Sequence, residues 1–99
     1  MHGCPELHVV QGAKKIMYYV YVLKSQVDGK MYVGYTANLR NRLTEHQGGE
    51  VISTKSRRPF ELIFYEGYKS DEDAKRRERY LKTSKGKSSL RMMLRDSLK

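Results

Sequence analysis

The sequence predicts a single small α+β domain. Three observations carry the prediction: an unbroken run of strand formers at Tyr18–Leu23, an Asp28-Gly29 turn with a second strand behind it, and later segments whose apolar residues recur at the helical period. With 99 residues the chain has room for one hydrophobic core, since separate cores usually need about 100 residues each.

Met1 to Lys15 scatters Gly3, Pro5 and Gly12 among polar residues without a period. A tail is therefore expected over residues 1–16 and the folded domain over 17–99, with Met17 placed to act as an alternative start. Tyr18 to Leu23 is all aromatic or aliphatic and too short for a typical helix, so it reads as a buried strand. Asp28-Gly29 is a preferred two-residue turn, and Lys30 to Tyr35 reads as the returning strand. Asn38 can cap a helix to about Gln47, with Leu39 and Leu43 inward and Gly48-Gly49 ending it. Gly48 to Pro59 is a loop bearing Lys55, Arg57 and Arg58. Phe60 to Tyr65 alternates Phe60, Leu62 and Phe64 against Glu61, Ile63 and Tyr65, as a third strand would. Ser70 caps a helix to about Thr83, whose Asp71, Glu72 and Asp73 favour the positive end of its dipole. Gly86 separates it from a last helix, Ser88 to about Leu98, with Leu90, Met93, Leu94 and Leu98 on one face.

Twenty Lys and Arg against eleven Asp and Glu give a net charge of +9, concentrated in residues 37–58 (+3) and 69–99 (+6). Such an excess suggests an anionic polymer as partner, nucleic acid ahead of a membrane surface, although basic structural proteins share the composition. Cys4 is the only cysteine, which excludes an internal disulfide and a zinc site built from several thiolates and makes a reducing compartment the default. No run approaches the roughly 18 apolar residues of a membrane span, and the N-terminus lacks a signal peptide's apolar centre, so a cytoplasmic location is expected. His2, His8 and Cys4 lie in the tail, where no chemistry is expected.

Among residues that carry chemistry, Tyr21 and Tyr32 can share one face of the hairpin. An ideal two-residue turn sets Tyr21 opposite Thr36 and Tyr32 opposite Ser25, an offset of about 13 Å that a bulge or strong twist would have to shorten. Gly34 then faces Leu23 and leaves space between the phenols; the plainer reading is that tyrosines pack well in strands. Arg42 and His46, at i and i+4, can meet one phosphate, or Arg42 can simply pair with Glu45. Glu78 falls in the inward stripe of Ala74 and Leu81, and a buried carboxylate needs a cation: Mg²⁺, Mn²⁺, or an arginine such as Arg77 or Arg42. Lys87, Arg91, Arg95 and Lys99 recur every four residues and can follow a phosphate backbone or form a solvated face. Lys55, Arg57 and Arg58 are better placed to grip DNA beside a pocket.

Taken in order, Tyr19-Val20-Tyr21, Tyr32-Val33-Gly34, Arg42, His46 and the helical Glu78 resemble the signature of the GIY-YIG nuclease family, over Met17 to about Lys87. The resemblance implies a three-stranded antiparallel sheet flanked by helices, and hydrolysis of a DNA phosphodiester with one divalent cation, Mg²⁺ or Mn²⁺. It implies that Glu78 binds the metal, Tyr21 acts as general base or orients the attacking water, and Tyr32 lies beside it. Arg42 would stabilise charge on the phosphate oxygens and His46 would position or exchange a proton. Lys82 and Lys87 join the loop cations as expected nucleic-acid contacts. Tyr19 stands where the family name has glycine, and no asparagine follows Asn41 although many active relatives use one late, which leaves Ser84 or Lys82 to compensate. With no second DNA-reading domain in the sequence, a preference for DNA structure is expected over sequence, with RNA left open. The alternatives are a nucleic-acid-binding module with little turnover on the same scaffold, and a purely protein-binding domain.

Overall fold

The run Tyr18–Ser25 forms β1, the middle strand of an antiparallel sheet ordered β2-β1-β3, with β2 at Met31–Thr36 and β3 at Phe60–Tyr68. The structure is a computed structural model and describes residues 16–99; the expected tail, apart from Ile16, lies outside the described residues, as do His2, Cys4 and His8. Helices α1 (Leu39–Gln47), α2 (Asp71–Leu81) and α3 (Ser84–Met93) complete the α+β domain expected from the sequence.

β1 is apolar at every position from Tyr18 to Leu23 because both sheet faces are covered. Val20 and Val22 point to a core shared with Ala74, Leu81, Leu90 and Leu94 of α2, α3 and the turn beyond, while Tyr21 and Leu23 join Phe60, Leu39 and Leu43 on the α1 side. None of these four β1 residues is more than 1 % exposed. Each aliphatic one contributes on the order of 1.5–3 kcal/mol by leaving water.

Two register features depart from the ideal pattern. The β1–β2 hairpin is not closed by a two-residue turn at Asp28-Gly29. Ser25 N–H donates to the Lys30 carbonyl and Gly29 N–H to the Ser25 carbonyl, so residues 26–29 all lie in the loop, with Gly29 at φ +71°. Asp28 accepts from Lys30 N–H in place of a strand partner. The register therefore shifts by two residues, pairing Tyr21 with Gly34 and Leu23 with Tyr32. In β3 a bulge opposite Val22/Leu23 leaves Ile63 without a cross-strand partner. Phe60 and Leu62 consequently face α1, whereas Phe64 turns with Val22 to the other core, so the simple alternation predicted for this strand does not run its full length.

Asn38 and Ser70 cap α1 and α2 as expected, accepting from Asn41 N–H and Asp73 N–H. The break before α3 falls at Lys82–Thr83 rather than at Gly86, because the Thr83 side chain caps a helix that starts at Ser84. Gly86 lies inside α3 at its contact with α2, where a Cβ would come 2.0 Å from the Tyr80 carbonyl oxygen. α3 ends at Met93, which is 50 % exposed rather than in the inward stripe. Among the described residues no helix is long and apolar enough to cross a membrane.

Candidate active site

The two-residue shift in the hairpin moves Tyr21 and Tyr32 from the four-residue offset expected to a two-residue one. Their rings lie on the same face with centroids 6.4 Å apart. Gly34 permits this in a different way from the one expected. It sits directly across from Tyr21, and the phenol ring occupies the place of a side chain: a Cβ on Gly34 would come 2.3 Å from Tyr21 Cζ. His46 is the third ring, 5.6 Å from Tyr21 and 5.2 Å from Tyr32, backed by Phe60 at 6.0 Å.

α1 supplies His46 from its last turn and Arg42 from one turn earlier. His46 is wholly buried, and its two ring nitrogens are both engaged: Nε2 lies 2.7 Å from the Tyr21 hydroxyl and Nδ1 lies 2.8 Å from Thr54 Oγ1. Proton positions follow from the partners. The Thr54 hydroxyl donates to the Val51 carbonyl, so its oxygen accepts from His46 Nδ1–H, and the bare Nε2 takes the hydroxyl proton of Tyr21, a side chain with no solvent exposure. The network thus assigns the hydrogen to Nδ1, which donates to Thr54 Oγ1, and the Thr54 hydroxyl donates to the Val51 carbonyl at 3.3 Å. Burial pushes the Tyr21 phenol up to about 12 against the opposing positive charge of Arg42. Burial, with Arg42 nearby, holds the His46 imidazole below its ordinary value and favours the neutral ring.

The plainer of the two readings of Arg42, the pair with Glu45, is present in the structure. Its Nη1 donates to Glu45 Oε1 at 2.9 Å, the surface pair expected at i+3. The side chain remains 37 % exposed and accessible to a phosphate.

Glu78 departs from its expectation. Ala74 and Leu81 are fully buried, but Glu78 lies at the border of their stripe with its side chain 22 % exposed. Its partner is neither Arg42 nor Arg77, which instead pairs with Glu66 at 2.9 Å. Lys82, one turn on, reaches Glu78 Oε2 at 3.0 Å, and its ammonium also sits 6.0 Å from the Tyr32 ring centroid. Through Lys82 the Glu78 carboxylate is linked to the Tyr32 end of the aromatic cluster. α2 packs on the opposite sheet face from α1, so the group assembles around the β2 edge.

A divalent cation at this site would rest on one carboxylate. Among the described residues no three His, Cys, Asp or Glu side chains converge, so Glu78 would be its protein carboxylate. Mg²⁺ commonly takes one or two carboxylates and fills its remaining positions with water and substrate phosphate. The carboxylate that would hold it already carries a cationic group in Lys82, and part of it faces solvent.

Of the expected DNA contacts, Arg57 and Lys87 line one groove together. Arg57 donates to Asp28 and to the Lys30 carbonyl and lies 5.8 Å from the Phe60 ring centroid. Arg58 donates to the Lys55 and Gln47 carbonyls. Both guanidinia thus tie the loop to the fold, while Lys55 is exposed on the short 3₁₀ turn Lys55–Arg57, Lys82 stands at Glu78, and Lys87 lies on α3. Sequence reasoning missed Thr54. A threonine in a polar loop carries no signal of its own, and only the folded loop places it under His46.

The α+β domain, with two tyrosines, an arginine and a histidine on one side of its sheet, has the fold expected of the nuclease family that the sequence resembles. More narrowly, the chain belongs to the GIY-YIG family: the family model described as the GIY-YIG catalytic domain matches residues 17–91. It is 38 % identical over 77 residues to a UPF0213 protein of Staphylococcus haemolyticus, covering 77 % of this chain and 93 % of that one. It is 41 % identical over 68 residues to a UPF0213 protein of Streptococcus pneumoniae, covering 68 % of each. The solution NMR structure of a UPF0213 protein from Bacillus halodurans superposes with a TM-score of 0.51 at 32 % identity, over 79 % of this chain and 85 % of that one.

Proposed function

We propose that the protein is a divalent-metal-dependent endonuclease that hydrolyses DNA phosphodiester bonds, with structure-selective or weak sequence preference. The observation that carries the reading is the Tyr21 hydroxyl held 2.7 Å from His46 Nε2, with Arg42 one turn earlier on the same helix as His46. A phenol raised to about 12 is a poor free phenolate at neutral pH, but it can pass a proton through. As the attacking water's oxygen bonds to phosphorus, its proton moves to the Tyr21 oxygen while the phenolic proton moves to His46 Nε2. The bond from phosphorus to the leaving oxygen breaks, and that oxygen takes a proton from solvent. Arg42 neutralises charge growing on the non-bridging oxygens, and Tyr32 packs beside Tyr21 and His46 and limits their movement. A single Mg²⁺ or Mn²⁺ held by Glu78 would supply further charge neutralisation at the phosphate.

The test is incubation of the protein with labelled single-stranded, duplex and branched DNA in Mg²⁺ or Mn²⁺. Cleavage by the wild type and its loss in Glu78→Ala are expected. Wild type that cuts no better than Glu78→Ala rejects catalysis. The second reading, a binding module without turnover, draws on the absence of a late asparagine and on Lys82 occupying Glu78. It predicts salt-sensitive binding with no cleavage under any metal condition.

A further inference from the structure

Away from the tyrosine cluster, a groove of about 670 Å³ opens between the tip of the β1–β2 hairpin, the 3₁₀ turn and α3. Lys30, Arg57, Lys87 and Arg91 line it over a floor that includes Met31 and Leu98. Its one carboxylate, Asp28, is already paired with Arg57 at 3.3 Å, so the lining carries a net charge of about +3. The walls are fixed to one another: Ser25 Oγ donates to the Arg57 carbonyl at 2.7 Å, and Gln26 N–H to the Pro59 carbonyl at 2.8 Å. Lys24 Nζ holds the Leu98 carbonyl at 3.2 Å at the far end. Among the described residues, Lys30, Lys87 and Arg91 pair with no carboxylate in the structure.

We infer that this groove is a second phosphate-backbone site that holds the nucleic-acid strand running away from the scissile bond. The inference rests on the nuclease reading for the identity of the polymer. The arrangement of cations favours a chain over a single anion. Lys87 and Arg91 are four residues apart on α3, hence about 6 Å along its axis, and Lys30 faces them from the hairpin. A free phosphate would need donors converging on one point, whereas a trough with spaced cations suits charges repeated along a strand. The groove and the active-site cluster share the edge strand β2. Met31 and Tyr32 are consecutive on the edge strand β2, so their side chains point to opposite faces, one into the groove and the other toward His46. A strand passing over that edge joins the two.

The test is fluorescence anisotropy of a labelled single-stranded oligonucleotide with the full-length protein in EDTA, where binding is read without hydrolysis. Lys87→Ala/Arg91→Ala is compared with Lys69→Ala/Arg76→Ala, which removes the same charge elsewhere, and thermal melts verify that both variants fold. Loss of two backbone contacts should lower the slope of log affinity against log salt by about 1.4 and weaken binding roughly tenfold at low salt. Equal weakening by the control pair, or no change in the groove pair, overturns the inference. So does displacement of the labelled strand by polyglutamate as effectively as by unlabelled strand of equal charge, which would mark an acidic-peptide site. Cleavage is scored separately. A wild type that cuts while the groove pair binds normally refutes only the groove, and a groove-dependent binder that never cuts refutes only the enzyme.

Discussion

The Tyr21 hydroxyl and His46 Nε2 lie 2.7 Å apart, across 25 residues of sequence, with neither side chain exposed to solvent. Tyr21 comes from the central strand and His46 from the last turn of α1, so the pair exists only when sheet and helix are packed. Burial acts on them in complementary senses. It raises the phenol and lowers the imidazole, keeping both neutral and the proton on tyrosine at rest. A proton passed to His46 during reaction is therefore transient, and the pair resets when the imidazole loses it.

Acid should act on this pair before it acts on the carboxylates. The folded His46 pKa is lowered from 6.5, so below that pH the unfolded state binds more protons than the folded one. The stability linked to neutral His46 is fully present above about 6.5 and is lost as pH falls from there to the lowered folded pKa. Thermal midpoints measured from pH 8 to 4.5 should decline over that window in the wild type and less in His46→Gln. Parallel curves would remove His46 from the account. The acid limb of kcat/KM should fall below 6.5, because a protonated Nε2 cannot accept the Tyr21 proton.

Two conservative substitutions separate proton transfer from positioning. Tyr21→Phe keeps the ring but removes the hydroxyl, and cleavage should drop by about 10²–10⁴-fold. Thr54→Val removes the acceptor of Nδ1–H and leaves a buried donor unpaired, at a cost of about 1–3 kcal/mol. The tautomer is the sharper readout. Nitrogen-15 NMR of the imidazole should find hydrogen on Nδ1 in the wild type and a mixture in Thr54→Val. An Nε2–H wild type would reverse the direction of the relay.

Gly34→Ala should damage the site without touching any polar group. The added methyl would overlap the Tyr21 ring, 2.3 Å from Cζ, on a strand whose backbone is fixed by pairing on β1. The phenol must move off His46. Overpacking of this kind costs about 1–3 kcal/mol, which a urea midpoint reads directly, and cleavage should fall with it. A variant as stable and active as the wild type would mean that the ring has room which the packing denies.

Local chemistry made much of this legible. β1, the caps at Asn38 and Ser70, and the paired placement of Arg42 and His46 follow from apolar runs, capping residues and the i,i+4 rule, each contained within a few residues. The hairpin register was not, because Asp28-Gly29 is a favoured turn taken alone. The structure instead ties Ser25 and Gln26 to the distant 57–59 segment, which draws residues 26–29 into the loop. Gly86 reads in sequence as the separation between two helices, whereas its missing side chain lets α3 approach Tyr80 and Leu81. Glu78 was placed in the core by its period, yet the stripe ends beside it and Lys82 satisfies it from the same helix. Thr54 required the whole loop to fold beneath α1.

The Glu78–Lys82 pair makes the last prediction specific to this chain. A half-exposed i,i+4 pair is worth at most about 1 kcal/mol, so Lys82 holds the carboxylate weakly enough for a divalent cation to displace it. Lys82→Met should leave Glu78 without its ammonium and raise Mn²⁺ affinity severalfold, measured by calorimetry or by the decrease of free Mn²⁺ in electron paramagnetic resonance. Glu78→Gln should abolish the same binding. The lysine also stands over Tyr32, where an incoming phosphate would draw it away from the carboxylate. On that account nucleic acid should tighten Mn²⁺ binding in the wild type and much less in Lys82→Met, a coupling that a simple surface ion pair would not produce. Equal Mn²⁺ affinity in the wild type and Lys82→Met, with or without nucleic acid, would reduce Lys82 to an ordinary helix-surface partner.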